Sequence, residues 1–177
     1  MSWTHRTRHH QTPHMARTIR DATPADAAAI SRIYNFYVRT STCTYALEEE
    51  TLDERHAWLD AHGPMHPVLV VEEQGEIVAW GSLSTYNPRR GYARTVEDSI
   101  YVRDDRRGTG IGGELLSTLI ERARALGHHT IIAGASADQD ASIALHAAHG
   151  FVEVARLREV GRKFDRWLDV VYLQKAL

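Results

Sequence analysis

The stretch RRGTGIGGELL, Arg106–Leu116, places four glycines in six consecutive positions, between two arginines and an apolar run with helical spacing. Glycine weakens a helix interior, so its use here indicates a backbone that turns tightly or approaches a ligand closely. The first turn of a helix presents free N–H groups and the positive end of the helix dipole, which favour an anion. The stretch therefore predicts a phosphate-binding loop at the start of a helix.

The surrounding residues discriminate between known classes of phosphate loop. Gly108, Gly110 and Gly113 match the dinucleotide pattern G-x-G-x-x-G. A Rossmann unit also needs an acidic residue after the next strand, but here IIAGAS is followed by no carboxylate before Asp138. An NTP-binding P-loop needs Lys and Ser or Thr after its last glycine, where this chain has Glu114. A glycine-rich turn with solvated arginines remains as the alternative without a ligand.

The composition limits the class of protein. A length of 177 residues with 43% hydrophobic content fits one domain, for which roughly 100–200 residues are usual. The 21 Lys and Arg residues nearly balance the 23 Asp and Glu residues, so no nucleic-acid partner is expected. The single cysteine, Cys43, allows no internal disulfide and favours the cytoplasm. No apolar run approaches the roughly 18 residues of a membrane span, so no membrane partner is expected.

The first residues of the chain differ from the rest. We expect residues 1–16 to form a disordered leader and residues 17–177 to form the folded domain. Residues 1–14 lack the apolar segment of a signal peptide. They contain four of the 11 histidines, so a metal-binding tail is the alternative.

Hydrophobic periodicity and helix-end signals predict the order β-α-α-β-β-β-α-β-α-β-β. Such an order describes one α/β domain with a mixed central sheet flanked by helices. The clearest signals are a strand around Thr18–Arg20, a capping box at Thr51–Glu54, a turn at Gln74–Gly75, a helix over Gly110–Leu126 and two closing strands around a loop at Gly161–Arg166.

The strand TVEDSIYV, Thr95–Val102, leads into the glycine stretch. Because strand residues alternate between faces, Glu97, Ser99 and Tyr101 share one face and Asp98 lies on the other.

Arg107–Gly112, RGTGIG, matches the pattern R/Q-x-x-G-x-G/A and resembles the pyrophosphate loop of the GNAT N-acetyltransferases. The strand SIYV before it, the helix ALHAAHGF after it and the order of elements are similar to that family over roughly residues 18–177. The segments RTVEDSIYV and GRKFDRWLDVVYLQKAL, with TST at Thr40–Thr42, look like the phosphinothricin and methionine-sulfoximine acetyltransferase group.

This resemblance implies acetyl-CoA as co-substrate, bound between two splayed central strands, and no metal. An extended pantetheine arm pairs with a strand edge much as a peptide does, and arginines add charge for the phosphates. The implied cofactor-binding residues are Ile100, Tyr101 and Val102 on the strand, Arg107, Gly108, Thr109, Gly110, Ile111, Gly112 and Gly113 on the loop, and Gln139, which stands where the family commonly has Asn.

The resemblance also implies an N-acetyltransferase that moves acetyl from acetyl-CoA to the α-amino group of a small anionic amino-acid analogue by direct attack. A protonated amine must first lose a proton, and Glu97 is the implied general base. A surface glutamate is the non-catalytic alternative for Glu97, and Asp98 is the weaker candidate base. His146 is expected to be a packed or capping histidine, with proton relay as its alternative role. Cys43 is expected to be a small buried hydrophobic residue.

The loop YNPRRGYAR precedes the strand of Glu97 and is cationic, with Arg89, Arg90 and Arg94 around Tyr92. Such a loop favours an acceptor that carries a carboxylate or phosphinate near its amine. By resemblance, the substrate-binding residues are Tyr45, Arg89 and Tyr92. Asn87 stands where the group has a loop lysine, so Arg90 is expected to share the binding of substrate. The alternative is a solvated basic loop or a contact with the 3′-phosphate of CoA.

We expect a homodimer with a small-molecule amine as substrate. The apolar C-terminal strand WLDVVYL, residues 167–173, can bury one face in its own domain and present the other to a partner. Three alternatives remain for the function: an acetyltransferase of another small amine or of a peptide N-terminus, a non-catalytic acyl-CoA sensor, and a hydrolase that uses Cys43.

Overall fold

The computed structural model of the chain describes residues 17–177, so the expected leader at residues 1–16 lies outside the described residues. The order of strands and helices is the predicted one. The strands are β1 Arg17–Asp21, β2 Val68–Glu73, β3 Glu76–Thr85, β4 Thr95–Val102, β5 Thr130–Ser136, β6 Val152–Lys163 and β7 Arg166–Ala176. The helices are α1 Ala27–Thr40, α2 Leu52–Ala61, α3 Ile111–Ala125 and α4 Asp140–Ala148.

All seven strands form one sheet in the order β1-β2-β3-β4-β5-β7-β6. Neighbouring strands are antiparallel except β4 and β5, which are parallel. The expected mixed central sheet with flanking helices is therefore confirmed. Among residues 17–177, no helix combines the length and apolar character that crossing a bilayer requires.

Helices cover both faces of the sheet. On one face, α3 buries Leu115, Leu116 and Leu119 against the sheet. On the other face, α1 and α2 pack around Ile30 and Trp80. The free energy gained by burying each such side chain is about 1.5–3 kcal/mol, so these two apolar layers fix the helices to the sheet.

The ends of α3 depend on glycine. Gly110 precedes the helix with φ of 87°, and Gly127 follows it with φ of 74°. Both angles lie in the left-handed region, which glycine adopts without a steric penalty. The helix expected over Gly110–Leu126 is thus confirmed to within one residue at each end.

The last hairpin differs from the expectation. β6 and β7 pair up to Lys163 and Arg166, so the loop expected at Gly161–Arg166 is wrong and only Phe164 and Asp165 form the turn. Their φ angles are 50° and 56°, as a two-residue hairpin turn of type I′ requires. Phe-Asp is not the usual Asn-Gly signal for this turn, so the residue types did not predict it.

Candidate active site

The two central strands separate after three pairs of residues. Thr95–Glu97 pairs with Thr130–Ile132, and beyond this point each strand pairs only with its other neighbour. A cavity of about 390 Å³ lies in the resulting cleft. Of the eleven expected cofactor residues, only Thr109 is absent from its lining. The ten that line it are Ile100, Tyr101, Val102, Arg107, Gly108, Gly110, Ile111, Gly112, Gly113 and Gln139.

The glycine loop at one end of this cleft presents free backbone amides. Within residues 17–177, the N–H groups of residues 108–112 donate to no protein acceptor. Gly108 has φ of 72° and Gly110 has φ of 87°, so the turn uses conformations that favour glycine. Consecutive free amides at a helix N-terminus form an anion site, which fits a pyrophosphate.

The other two glycines of the loop lie against α4. A Cβ atom at Gly112 would lie 3.4 Å from Leu145 Cδ2, and one at Gly113 would lie 3.5 Å from His149 Cε1. Leu145 is on α4 and His149 directly follows it. These are ordinary contact distances, so the approach of α4 to the first turn of α3 does not itself require glycine at either position.

The two arginines before the loop differ in their surroundings. Arg106 Nε donates to Glu73 Oε2 at 3.2 Å, so this guanidinium is bound to the protein. Arg107 is more exposed, and its Nη1 lies 3.6 Å from Asp104 Oδ1. Of the two, Arg107 has the guanidinium that is freer to meet a phosphate.

Gln139 links the start of α4 to the segment after α1. Its Nε2 donates to Thr42 Oγ1 at 2.7 Å, and the Thr42 hydroxyl in turn donates to Asp138 Oδ1 at 2.7 Å. Gln139 therefore lines the cleft with its amide nitrogen already engaged.

Glu97 lies at the point where β4 and β5 separate, opposite Ile132. Its Oε1 would lie 3.5 Å from a Cβ atom at Gly134. Burial, and then the charge of Asp98, raises the pKa of Glu97. Within residues 17–177, its carboxylate accepts no hydrogen bond, so both oxygens are available to a proton.

Asp98 and His146 form a buried pair on the opposite face of β4. The Asp98 side chain is 1% exposed, and its Oδ2 lies 3.0 Å from His146 Nε2. His146 Nδ1 bonds to the Ser142 carbonyl at 2.7 Å, so both ring nitrogens face acceptors. Burial alone would lower the pKa of His146, but the hydrogen bond and charge of Asp98 outweigh burial and raise it. His146 is packed as expected, but it also lines the cavity together with Asp98, and sequence reasoning missed the ion pair between them.

The expected base Glu97 and the four expected substrate-binding residues lie outside the lining of this cavity. Arg89, Arg90 and Tyr92 are exposed on the loop between β3 and β4. Tyr45 packs over Gly161 of β6, where an added Cβ atom would clash with its ring. Its buried hydroxyl has no partner within residues 17–177.

Arg94, grouped with that loop by the sequence, has another role. Its Nη1 donates to the carbonyls of Leu126 and Gly127 at 3.3 and 2.9 Å. It therefore caps the C-terminus of α3 instead of extending the cationic surface.

Sequence reasoning placed no residue of α1, or of the segment after it, in the lining of the cleft. Tyr37, Ser41 and Cys43 line the cavity, and the Tyr37 hydroxyl donates to the Val102 carbonyl. Burial raises the pKa of Cys43, which keeps its thiol protonated and weakly nucleophilic. No motif in the sequence indicates these contacts, because they arise only when α1 packs against the cleft.

Lys163 is a further residue that the sequence analysis did not identify. It is 3% exposed, and its Nζ donates to the Thr44 carbonyl at 2.7 Å. Burial lowers the pKa of its ammonium group. Lys163 thereby ties the β6–β7 hairpin to the segment that carries Cys43 and Tyr45. Across residues 17–177, no cluster of His, Cys, Asp or Glu suits a metal ion.

A family model, a curated relative and solved structures that are similar to this chain all indicate the same protein family. The model of the acetyltransferase (GNAT) domain matches residues 19–172. The L-methionine sulfoximine/L-methionine sulfone acetyltransferase of Pseudomonas paraeruginosa is 42% identical over 92% of this chain and 96% of its own length.

Two solved structures extend this comparison. The phosphinothricin acetyltransferase of Sinorhizobium meliloti in complex with acetyl-CoA is 36% identical, with a TM-score of 0.89 over 92% of this chain and 89% of that one. The ribosomal-protein-alanine N-acetyltransferase of Brucella melitensis is 42% identical, with a TM-score of 0.88 over 90% and 99%.

Proposed function

The chain belongs to the GNAT acetyltransferase family and is an acetyl-CoA-dependent N-acetyltransferase, and we propose that its acceptor is the α-amino group of a small anionic amino-acid analogue. Methionine sulfoximine, methionine sulfone and phosphinothricin represent this class. The observation that carries the proposal is the cleft that opens where β4 and β5 separate, with free amides at one end and Glu97 at the last residue pair before the separation.

Acetyl-CoA fits the residues of this cleft. The free amides of residues 108–112 and the guanidinium of Arg107 would hold the pyrophosphate. Ile100, Tyr101 and Val102 would hold the pantetheine arm through their backbone, at an edge of β4 that β5 leaves unpaired. Acetyl-CoA supplies the activated acetyl group.

Glu97 is proposed as the general base. An amine that attacks a thioester must be neutral, so Glu97 accepts the proton that the ammonium group loses, directly or through one water. Its raised pKa favours this role, because a base works best when its pKa approaches the working pH. The amine nitrogen then forms the new C–N bond and the C–S bond breaks. The second proton that the nitrogen loses as the amide forms goes to the CoA thiolate.

The proposed mechanism is direct attack without an acyl-enzyme. Cys43 is the single cysteine of the chain and lines the cleft, so it is the residue to consider as a nucleophile. The raised pKa of its thiol argues against that role and against the hydrolase alternative.

The acceptor is proposed to bind near the loop of Arg89, Arg90 and Tyr92. Within residues 17–177, the side chains of Arg89 and Arg90 make no ion pair, so their charges are available to a carboxylate or phosphinate. Tyr45, whose buried hydroxyl lacks a partner, is the proposed aromatic contact.

A peptide N-terminus is the second candidate acceptor. The similarity to a ribosomal-protein-alanine N-acetyltransferase favours it. A peptide acceptor needs an open groove, whereas a small amino acid needs only the cationic loop beside Glu97.

We further propose that residues 17–177 form one GNAT domain, that the protein is cytoplasmic and that it is a homodimer. The continuous seven-stranded sheet supports the first proposal. The single cysteine supports the second. The exposed apolar side chains of β6 and Trp167 support the third.

Steady-state assays of free CoA with a panel of acceptors test the proposal. The panel contains methionine sulfone, methionine sulfoximine, phosphinothricin, unmodified amino acids and short peptides that begin with alanine. We expect the highest kcat/KM for the three analogues. A preference for the peptides would replace the proposed acceptor, and binding of acetyl-CoA without turnover would support the sensor alternative.

A further inference from the structure

One arginine of β1 joins the glycine loop to three other parts of the structure. Arg17 Nη2 donates to the Thr109 carbonyl at 3.0 Å, and its Nη1 donates to Glu114 Oε1 at 2.8 Å. Its Nε donates to Glu73 Oε1 at 2.6 Å. A single guanidinium therefore connects β1 and β2 with the loop and with the first turn of α3.

Glu73 links Arg17 to a second arginine, Arg106. It ends β2, is 4% exposed, and accepts from Arg106 Nε through its second oxygen, Oε2. The hydrogen bond from Arg17, together with that from Arg106, outweighs burial and lowers the pKa of Glu73, which is therefore charged. A buried carboxylate needs such partners on both oxygens, so the three side chains depend on one another.

The contact at Thr109 has a geometric consequence for the next amide. The Thr109–Gly110 peptide is trans and planar, so its C=O and N–H groups point in opposite directions. Because the Thr109 carbonyl points at Arg17, the Gly110 N–H points away from it. The Thr109 hydroxyl also donates to the Arg106 carbonyl at 2.7 Å, which closes the loop on itself.

Arg17 itself is not part of the cavity lining, and its side chain is 15% exposed. Three of its donor groups are already used within the protein. It is therefore placed to hold the loop and not to meet the phosphates. Without such support, a loop with glycines at 108, 110, 112 and 113 would lose much conformational entropy when an anion ordered it.

We propose that Arg17 and Glu73 are positioning residues for acetyl-CoA, which hold the free amides of residues 108–112 in their anion-binding arrangement before the co-substrate arrives. This inference rests on the proposed binding of the pyrophosphate by those amides. Neither residue touches the reacting atoms, so their effect is on affinity for molecules that carry the pyrophosphate.

Two variants and two acetyl donors test the inference. Arg17→Met removes the guanidinium, and Glu73→Gln keeps the side-chain shape but loses the charge that both arginines contact. We expect the calorimetric Kd for acetyl-CoA to rise about tenfold or more in each variant, as the loss of a charged hydrogen bond predicts. For S-acetylpantetheine, which lacks the pyrophosphate, kcat/KM should stay within about threefold of the wild-type value, because the loop makes no contact with it.

Arg20→Met is the matched control. Arg20 lies on the same strand and pairs with Asp26 at 2.8 Å and Glu72 at 3.1 Å, and it has no contact with the loop. We expect its Kd for acetyl-CoA to be that of the wild type. An equal loss in this control, or an equal loss with S-acetylpantetheine, would overturn the positioning role in favour of general destabilisation. If Arg17→Met does not fold, the Kd values of Glu73→Gln and Arg20→Met for acetyl-CoA are compared instead, and the same outcomes decide whether the positioning role holds.

Gly110→Val separates this inference from the proposed function. Valine at a φ of 87° is strained, and it disturbs the free amides directly. We expect this variant to lose acetyl-CoA binding. Wild-type affinity in a folded Gly110→Val protein would refute the pyrophosphate assignment. Loss of affinity in Gly110→Val with wild-type affinity in Arg17→Met and Glu73→Gln would refute the positioning role alone.

Discussion

At the scale of single residues, Glu97 combines a raised pKa with a carboxylate that has no partner within residues 17–177. Glu97→Gln keeps the size of the side chain and removes its basicity. We expect kcat to fall by about 10²–10⁴-fold, with little change in the Kd for acetyl-CoA. The acidic limb of kcat/KM in the wild type should lie above the usual glutamate pKa of about 4.3 and should vanish in the variant. A wild-type kcat at pH 7 would assign the proton transfer to another group.

Arg89 carries the second prediction at this scale. If its guanidinium binds the acid group of the acceptor, Arg89→Ala removes a charged hydrogen bond worth about 1.5–3 kcal/mol. The KM for methionine sulfone should then rise about 10–150-fold, while the KM for acetyl-CoA stays constant. Arg89→Lys, which keeps the charge, should recover part of the loss. A rise in the KM for acetyl-CoA instead would assign the loop to the 3′-phosphate of CoA.

At the scale of elements, the Asp98–His146 pair joins α4 to β4 beside the cleft. The pKa of His146 is raised in the folded protein, so the pair stabilises the fold fully below the unfolded pKa of about 6.5. That contribution disappears as the pH rises through the folded pKa. Each unit of raised pKa corresponds to about 1.4 kcal/mol.

Asp98→Asn tests this linkage, because it removes the charge that raises the pKa of His146. Urea unfolding of both proteins between pH 6 and pH 9 gives the difference in free energy of unfolding. We expect the free energy of unfolding of the wild type to exceed that of the variant most at pH 6, and the difference to shrink as the pH rises. A difference that does not change with pH would show that His146 is not charged by this pair.

At the scale of the whole molecule, one edge of the sheet carries several exposed apolar side chains among charged ones. Val152, Val154, Leu157 and Val160 on β6 are exposed, and Trp167 on β7 is 61% exposed. β6 also forms an edge of the sheet, with one side of its backbone unpaired within residues 17–177. An exposed apolar edge of this kind favours association, which supports the proposed homodimer.

Light scattering tests the dimer at micromolar concentration. Val160→Lys with Trp167→Lys places two charges on the apolar edge, so we expect a shift from the mass of a dimer to that of a monomer. Leu52→Lys is the control, because Leu52 is 46% exposed at the start of α2, which packs against α1, and its change should leave the mass unaltered. A monomeric wild type would reject the dimer.

Much of the fold could be predicted from the sequence, because its signals are local. The capping box at Thr51–Glu54, the turn at Gln74–Gly75 and the glycines around α3 each depend on neighbouring residues, and the structure has all of them. The turn at Phe164–Asp165 was not predicted, because Phe-Asp is not the Asn-Gly pair that usually adopts the two positive φ angles of such a turn.

The features of the candidate site likewise fall into two groups: those that local sequence signals predict and those that depend on long-range contacts. The sequence alone determined the order of elements, the glycine loop before a helix and the alternation that sets Glu97 and Asp98 on opposite faces of β4. The pair of Asp98 with His146, the cap that Arg94 forms on α3 and the contacts of Arg17 with Thr109 and Glu73 exist only in the folded chain. These contacts join residues that lie 32 or more positions apart in the sequence. Residue type and local spacing carry no information about such partners, because the long-range packing of strands and helices brings them together.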